Sequence, residues 1–176
     1  NTALSPVNEL KGYPPVLFPN TPQWNIFIKV FEDREILNWI YNSSVAALCS
    51  TFISLVVSTL AAYSLSRFNF KGNESLGIFI LLSKMLPTTL MVIPLFVIFR
   101  QLGLIGSLWS LVLAHATFII PFATWMLKGY FDTIPLDLEQ AAMIDGCNVF
   151  QALYKIVLPV SAPGIAATAL YGFVLS

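Results

Sequence analysis

Few residues in this 176-residue chain are equipped for chemistry, and they do not gather into a reactive set. His115 is the sole histidine, so no metal-ligand spacing exists, and Cys49 and Cys147 stand too far apart to suggest a disulfide framework or a metal site. The polar groups that call for explanation are those in apolar surroundings. Lys84 lies inside an apolar run, where a charge is costly and marks a substrate pathway by default. Its long stem can equally snorkel back toward lipid headgroups. Thr88, four residues on, is a candidate partner for a solute hydroxyl, as are Asn42, Thr89 and Thr117. His115 reads as a hydrogen-bonded contact between helices, with solute contact as the second reading. Lys84, Thr88 and His115 are therefore the candidates for a pathway.

A second group of polar and small residues sits in the stretch LEQAAMIDGCNVFQALYKIVLPVSAPG, Leu138 to Gly164. A connector of this length is usually functional or disordered, and the helical pattern here argues against disorder. Ile134-Pro135 opens a short helix, with Asp132 or Thr133 as its cap and Asp137 and Glu139 near the positive end of its dipole. Gly146 can take the left-handed conformation that ends a helix. Asn148, with Gln151 three residues on, has the form of a capping box that starts a second helix. On that helix Phe150, Leu153, Tyr154 and Val157 share an apolar face, and Pro159 and Pro163 disturb the backbone beyond it. The unit reads as a rigid helix–turn–helix with one side to water. Either it presents a surface to a partner, with Ala141 and Ala142 removing bulk, or it merely covers the ends of its neighbours.

The elements that must hold these residues are membrane spans. The chain is 57% hydrophobic and 10% charged, with a mean hydropathy of +0.77, whereas a soluble domain averages about a quarter charged residues. A net charge of zero argues against nucleic acid as a partner. Residues 1–38 are polar and proline-broken and read as an extracytoplasmic segment with a short helix over 24–37; residues 39–176 read as a transmembrane domain with its connector at 129–155. No charge occurs from Ile36 to Ser66, and the first span is predicted over 39–65. The second is predicted over 75–99, kinked by Pro87 and Pro94; the third over 108–127, containing Pro121; the fourth starts near Ile156. The fold class is all-α, a polytopic bundle of four spans plus connector helices.

Four spans place the loop 67–74 and the connector on one side. That side carries Arg67, Lys71, Lys128 and Lys155 against Lys29, Arg34 and Arg100 on the other, which directs the connector to the cytoplasm. Along the first span Ala46, Ser50, Ser54, Ser58 and Ala62 recur every four residues. They share a face and form a stripe suited to close helix packing in lipid. None of the four spans contains Asp or Glu, which argues against an ion-coupled transporter.

The connector resembles the EAA loop of binding-protein-dependent ABC importer permeases, whose pattern is E-A-A, three residues, Gly, nine residues, I-x-L-P. Here it reads Gln140-Ala141-Ala142, Gly146, then Ile156-Val157-Leu158-Pro159, with both spacings kept. Gln140 stands where the pattern has Glu, with Glu139 just before it. The flanking SLSRFNFKG, IPLFVIFRQLGLIGS and IPFATWMLKGYFDTIP are similar to carbohydrate-type permeases, above all to the smaller maltose-type subunit.

The resemblance implies six helices in a longer chain, with a first and a last beyond this sequence. It implies a multi-pass protein of a bacterial or archaeal inner membrane that imports a sugar, polyol or related solute. Its implied partners are an ABC ATPase dimer, a second homologous permease subunit, an extracytoplasmic solute-binding protein and membrane lipid. Glu139, Gln140, Ala141, Ala142, Asp145, Gly146, Ile156, Leu158 and Pro159 are its implied ATPase-coupling residues. No G-x-x-x-x-G-K-[ST] phosphate loop is present, so the chain is not expected to be an enzyme, and no cofactor is expected on it, ATP belonging to the partner subunit. The competing reading is a membrane scaffold whose connector docks another cytoplasmic protein.

Overall fold

The computed structural model describes Trp24, Asn25, Phe27, Ile28 and residues 35–176. The chain divides into two compact units, Asn1–Ser44 and Val45–Ser176. The extracytoplasmic segment expected over 1–38, with its short helix, falls almost wholly outside the described residues. The connector and the residues packed around it belong to the second unit.

All regular elements among the described residues are helical. The charge-free run becomes one continuous helix, α1 (Ile36–Arg67), which ends where the first charged side chain appears. Next come α2 (Asn73–Ser83), α3 (Thr88–Gln101) and α4 (Leu108–Asp132). The connector holds α5 (Leu136–Ile144), α6 (Val149–Ala152), a π-helical turn at Leu153–Val157 and the short α7 (Leu158–Val160). α8 (Ala162–Leu175) completes the order. Among the described residues α1 and α4 are each long and apolar enough to cross a membrane, and two bent helix pairs meet the same measure only when each is counted as one span.

The first bent pair corrects the expected second span. α2 and α3 meet at 96° rather than forming one kinked helix. The cause is local: Pro87 has no N–H for the ladder and disfavours helical backbone in the residue before it. Pro87 itself leaves the helical region, at φ −58° and ψ 123°. The turn closes on short-range bonds, with the Lys84 and Met85 amides donating to the Leu81 and Leu82 carbonyls at 3.0 and 2.9 Å. Pro94 and Pro121, by contrast, stay inside α3 and α4.

The second pair moves the start of the fourth span. The helix begun at Val149 is broken at Ser161, and α8 departs at 80° from Ala162, not from Ile156. Pro159 and Pro163 remove two helical donors, and the buried Ser161 hydroxyl donates to the Val157 carbonyl at 2.5 Å. The π turn just upstream also redistributes the expected apolar face: Leu153 and Val157 are buried, whereas Phe150 and Tyr154 are 75% and 73% exposed.

The stripe on α1 packs as its spacing requires. Ala46, Ser50, Ser54, Ser58 and Ala62 are all buried. Ser58 donates to the Ile120 carbonyl of α4 at 3.2 Å, and Ser50 shares a hydrogen bond with Ser176 after α8 at 2.8 Å. Backbones approach closely enough that a Cβ on Gly172 would lie 3.3 Å from the Thr51 methyl. The principal apolar cluster sits at the connector end, where Ala62 and Tyr63 of α1 meet Leu127 and Phe131 of α4, Ile134, and Leu153 and Val157 of the π turn.

Candidate functional site

The connector is a short helix–turn–helix with two different faces. α5 begins without a side-chain cap. Asp132 and Thr133, expected to cap it, belong instead to the end of α4, where the Thr133 hydroxyl donates back to the Tyr130 carbonyl at 2.7 Å. α5 ends at Gly146, whose φ of +91° is the left-handed turn the sequence anticipates. The Cys147 amide closes it by donating to the Ala142 carbonyl at 2.9 Å. The capping box that starts α6 is present in both directions, the Asn148 and Gln151 amides each donating to the other's side chain at 2.9 Å.

Of the residues the resemblance implies for ATPase coupling, Gln140, Ala141, Asp145, Gly146 and Pro159 are exposed, Ile156 and Leu158 are half-buried, and Ala142 and Glu139 are buried. The outward face is mixed: Ile144 is 87% exposed beside the exposed Asp137, Gln140 and Ala141, while Leu138 and Met143 flank the buried side and are also exposed.

The inward face is ionic, and the sequence did not reveal it. The Glu139 carboxylate accepts from Arg67 Nε at 2.5 Å on one oxygen and from the Tyr63 hydroxyl at 2.8 Å on the other. Both charged side chains are buried, at 6% and 4% exposure. Arg67 spends its remaining nitrogens on the Ile134 carbonyl at 3.2 Å and the Ser66 hydroxyl at 3.0 Å. Ser66 in turn donates to Asp132 at 2.6 Å, and Asp132 takes Lys128 on its other oxygen at 2.6 Å. The predicted sharing of one side by the loop after the first span and the connector thus becomes direct contact. Removing one partner from a buried pair costs about 3–5 kcal/mol, because the other charge is left stranded. The signal that could have found it is the pair Tyr63 and Arg67, four apart and so on one face of α1.

The pathway candidates are partly brought together. Lys84, half-buried at the α2–α3 break, donates from Nζ to the Phe118 carbonyl of α4 at 3.0 Å. His115 lies three residues before Phe118 and is half-buried; the interhelical hydrogen bond expected of it is not found among the described residues. Thr88 opens α3 and is exposed.

Residues 54–176, which contain the whole connector, match a family described as the binding-protein-dependent transport system inner membrane component. The chain belongs to that family. Its relatives agree. It is 37% identical over 173 residues to the sulfoquinovosyl glycerol transport system permease protein SmoH of Agrobacterium fabrum, a match covering 98% of this chain and 61% of that one. It is 37% identical over 160 residues to the galactooligosaccharides transport system permease protein GanQ of Bacillus subtilis, covering 89% and 56%. The chain therefore spans about three-fifths of the length of these permease proteins. The crystal structure of a bacterial ABC transporter involved in the import of the acidic polysaccharide alginate superposes with a TM-score of 0.81 at 23% identity, over 98% of this chain and 60% of that one. That likeness fixes the helical bundle as an ABC importer permease fold. The all-α, membrane-spanning reading and the resemblance to carbohydrate-type permeases both stand.

Proposed function

We propose that this chain forms part of a permease subunit that imports a sugar, polyol or related solute, driven by ATP hydrolysis on a separate subunit. The observation that carries the reading is the connector itself: in a chain of this family, a short helix exposes Ile144, Met143 and Leu138 while its other side is buried. That surface suits a cleft on an ABC ATPase on the cytoplasmic side. Closure of two ATPases on nucleotide then moves this helix as a lever and turns the spans from inward- to outward-facing. The partners are an ATPase pair, a second permease subunit and an extracytoplasmic solute-binding protein. The carbohydrate class follows the relatives, whose names give a sulfoquinovosyl glycerol and galactooligosaccharides as their solutes.

Cys147 supplies the test, since it is partly exposed and immediately follows the turn at Gly146. With the complete permease co-expressed with its ATPase, a cysteine introduced into the ATPase cleft is expected to cross-link to Cys147, with a yield that ATP changes. A Cys147 that stays freely labelled, on a permease that never retains an ATPase, would move the scaffold reading ahead.

Lys84 belongs to the solute's side of the problem. Its bond to the Phe118 carbonyl ties the α2–α3 break to the middle of α4. Lys84→Met is expected to lower the uptake rate several-fold with the amount of protein in the membrane unchanged. Unaltered uptake kinetics in proteoliposomes would return the lysine to a headgroup-seeking role.

A further inference from the structure

Glu139 is placed to act inside the permease and not on the ATPase. We propose that Arg67, Glu139 and Tyr63 are positioning residues that lock α5 to the end of α1, so that displacement of the lever enters the bundle through α1; this rests on the coupling function proposed above for α5.

The chain alone does not connect these elements. α5 is joined covalently to α4 by the short turn before Pro135 and to α6 by the turn at Gly146. Arg67 and Glu139 are 72 residues apart, yet the bond between them is at 2.5 Å and buried. The short helix α5 thus carries two jobs on opposite faces: Ile144 is 87% exposed for contact, and Glu139 is 3% exposed. The carboxylate is turned inward, one oxygen accepting from Arg67 and the other from Tyr63. Arg67 is equally committed, to Ile134 and Ser66. A pair so enclosed is screened little by salt and holds its geometry better than an exposed one.

Position on α1 completes the argument. Tyr63 and Arg67 form the last turn of a helix whose small-residue stripe runs along α4 and α8. A push on α5 is therefore delivered at the tip of α1, where a small displacement has the greatest leverage on the span.

The experiment uses the complete permease, assembled with its ATPase and second permease and reconstituted with the solute-binding protein. The variants are Arg67→Met, Glu139→Met, the double variant, and Tyr63→Phe. The readout is solute moved per ATP hydrolysed. Each single Met variant is expected to lower that ratio roughly tenfold, because one buried charge is left unpaired. The double variant, with an apolar pair of similar volume, is expected to return to within about threefold of native. Tyr63→Phe should fall between them. Should Glu139→Met fail to accumulate, Glu139→Gln is expected to shift the ratio in the same direction. A near-native ratio for Arg67→Met overturns the proposal. So does a double variant as poor as Glu139→Met alone, which would mean that the carboxylate acts on the ATPase itself. Co-purification keeps the two readings apart: loss of the ATPase from the native chain removes the coupling function, whereas retained ATPase with unchanged ratios removes only the lock.

Discussion

Gly164→Ala is expected to unseat α8 from α4 and to lower the melting temperature of the purified permease clearly. A Cβ at this position would lie 2.4 Å from Tyr130 Cγ and 2.6 Å from both Cδ atoms, so the ring stands face-on over the glycine. Those atoms are at the root of the side chain, and a rotation of the ring about its own axis does not clear them. Either the Tyr130 rotamer or the helix must move, and overpacking of this kind costs about 1–3 kcal/mol. Gly164→Leu should exceed that and prevent accumulation in the membrane. Cutting Tyr130 back to Ala in the same chain opens the space and should return most of the loss. An unchanged melting temperature for Gly164→Ala would mean that the ring stands off the helix. The position matters to function because α8 starts two residues earlier, at an 80° break that ends the connector.

Gly146→Val should abolish most transport while leaving the protein in the membrane. Here the cause is conformational and not steric, since a Cβ would meet nothing within 4 Å. The φ of +91° is one that a β-branched residue reaches only with strain, of about 1–3 kcal/mol. The cheapest relief is to unwind the turn, which swings α5 and its exposed Ile144 away from the orientation set by the capping box of α6. Uptake in proteoliposomes is expected to fall by about tenfold, the strain acting as a shift toward the displaced lever. Gly146→Asn, which tolerates the left-handed region, should keep a substantial part of it. Native uptake by the Val variant would show that the turn does not set the lever.

What was legible in the sequence was what short-range rules govern. The charge-free run, the four-residue stripe, Gly146 and the Asn148–Gln151 box each act over a few residues, and each has its expected place in the structure. The two broken spans were only half legible. Pro87 and Pro159 signal a disturbance, but hydropathy cannot distinguish a kink from a bend of 96° or 80°. The size of the bend depends on which freed carbonyls find donors, such as that supplied by Ser161 to Val157. The face of α6 was misread because a π turn alters which side chains align, and sequence periodicity assumes a uniform helix. The partnership of Glu139 was hidden altogether, since it depends on the third dimension bringing the end of α1 against α5.

The seam along α1 differs sharply from its end. Its middle is made of hydroxyls and methyls: Ser54 and Thr51 are buried with no hydrogen-bond partner among the described residues, and Thr124 on α4 is likewise unpaired. Directional bonds are concentrated instead in the last turn, at Tyr63, Ser66 and Arg67. A rod pinned firmly at one end and held along its length by only two such bonds, from Ser50 and Ser58, behaves as a pivoted arm. Sliding past α4 and α8 breaks few bonds, so the resistance to motion is set by shape and not by chemistry. Side chains as small as Ser and Ala present low ridges, so the fit along the seam is one of close backbones rather than interlocked side chains.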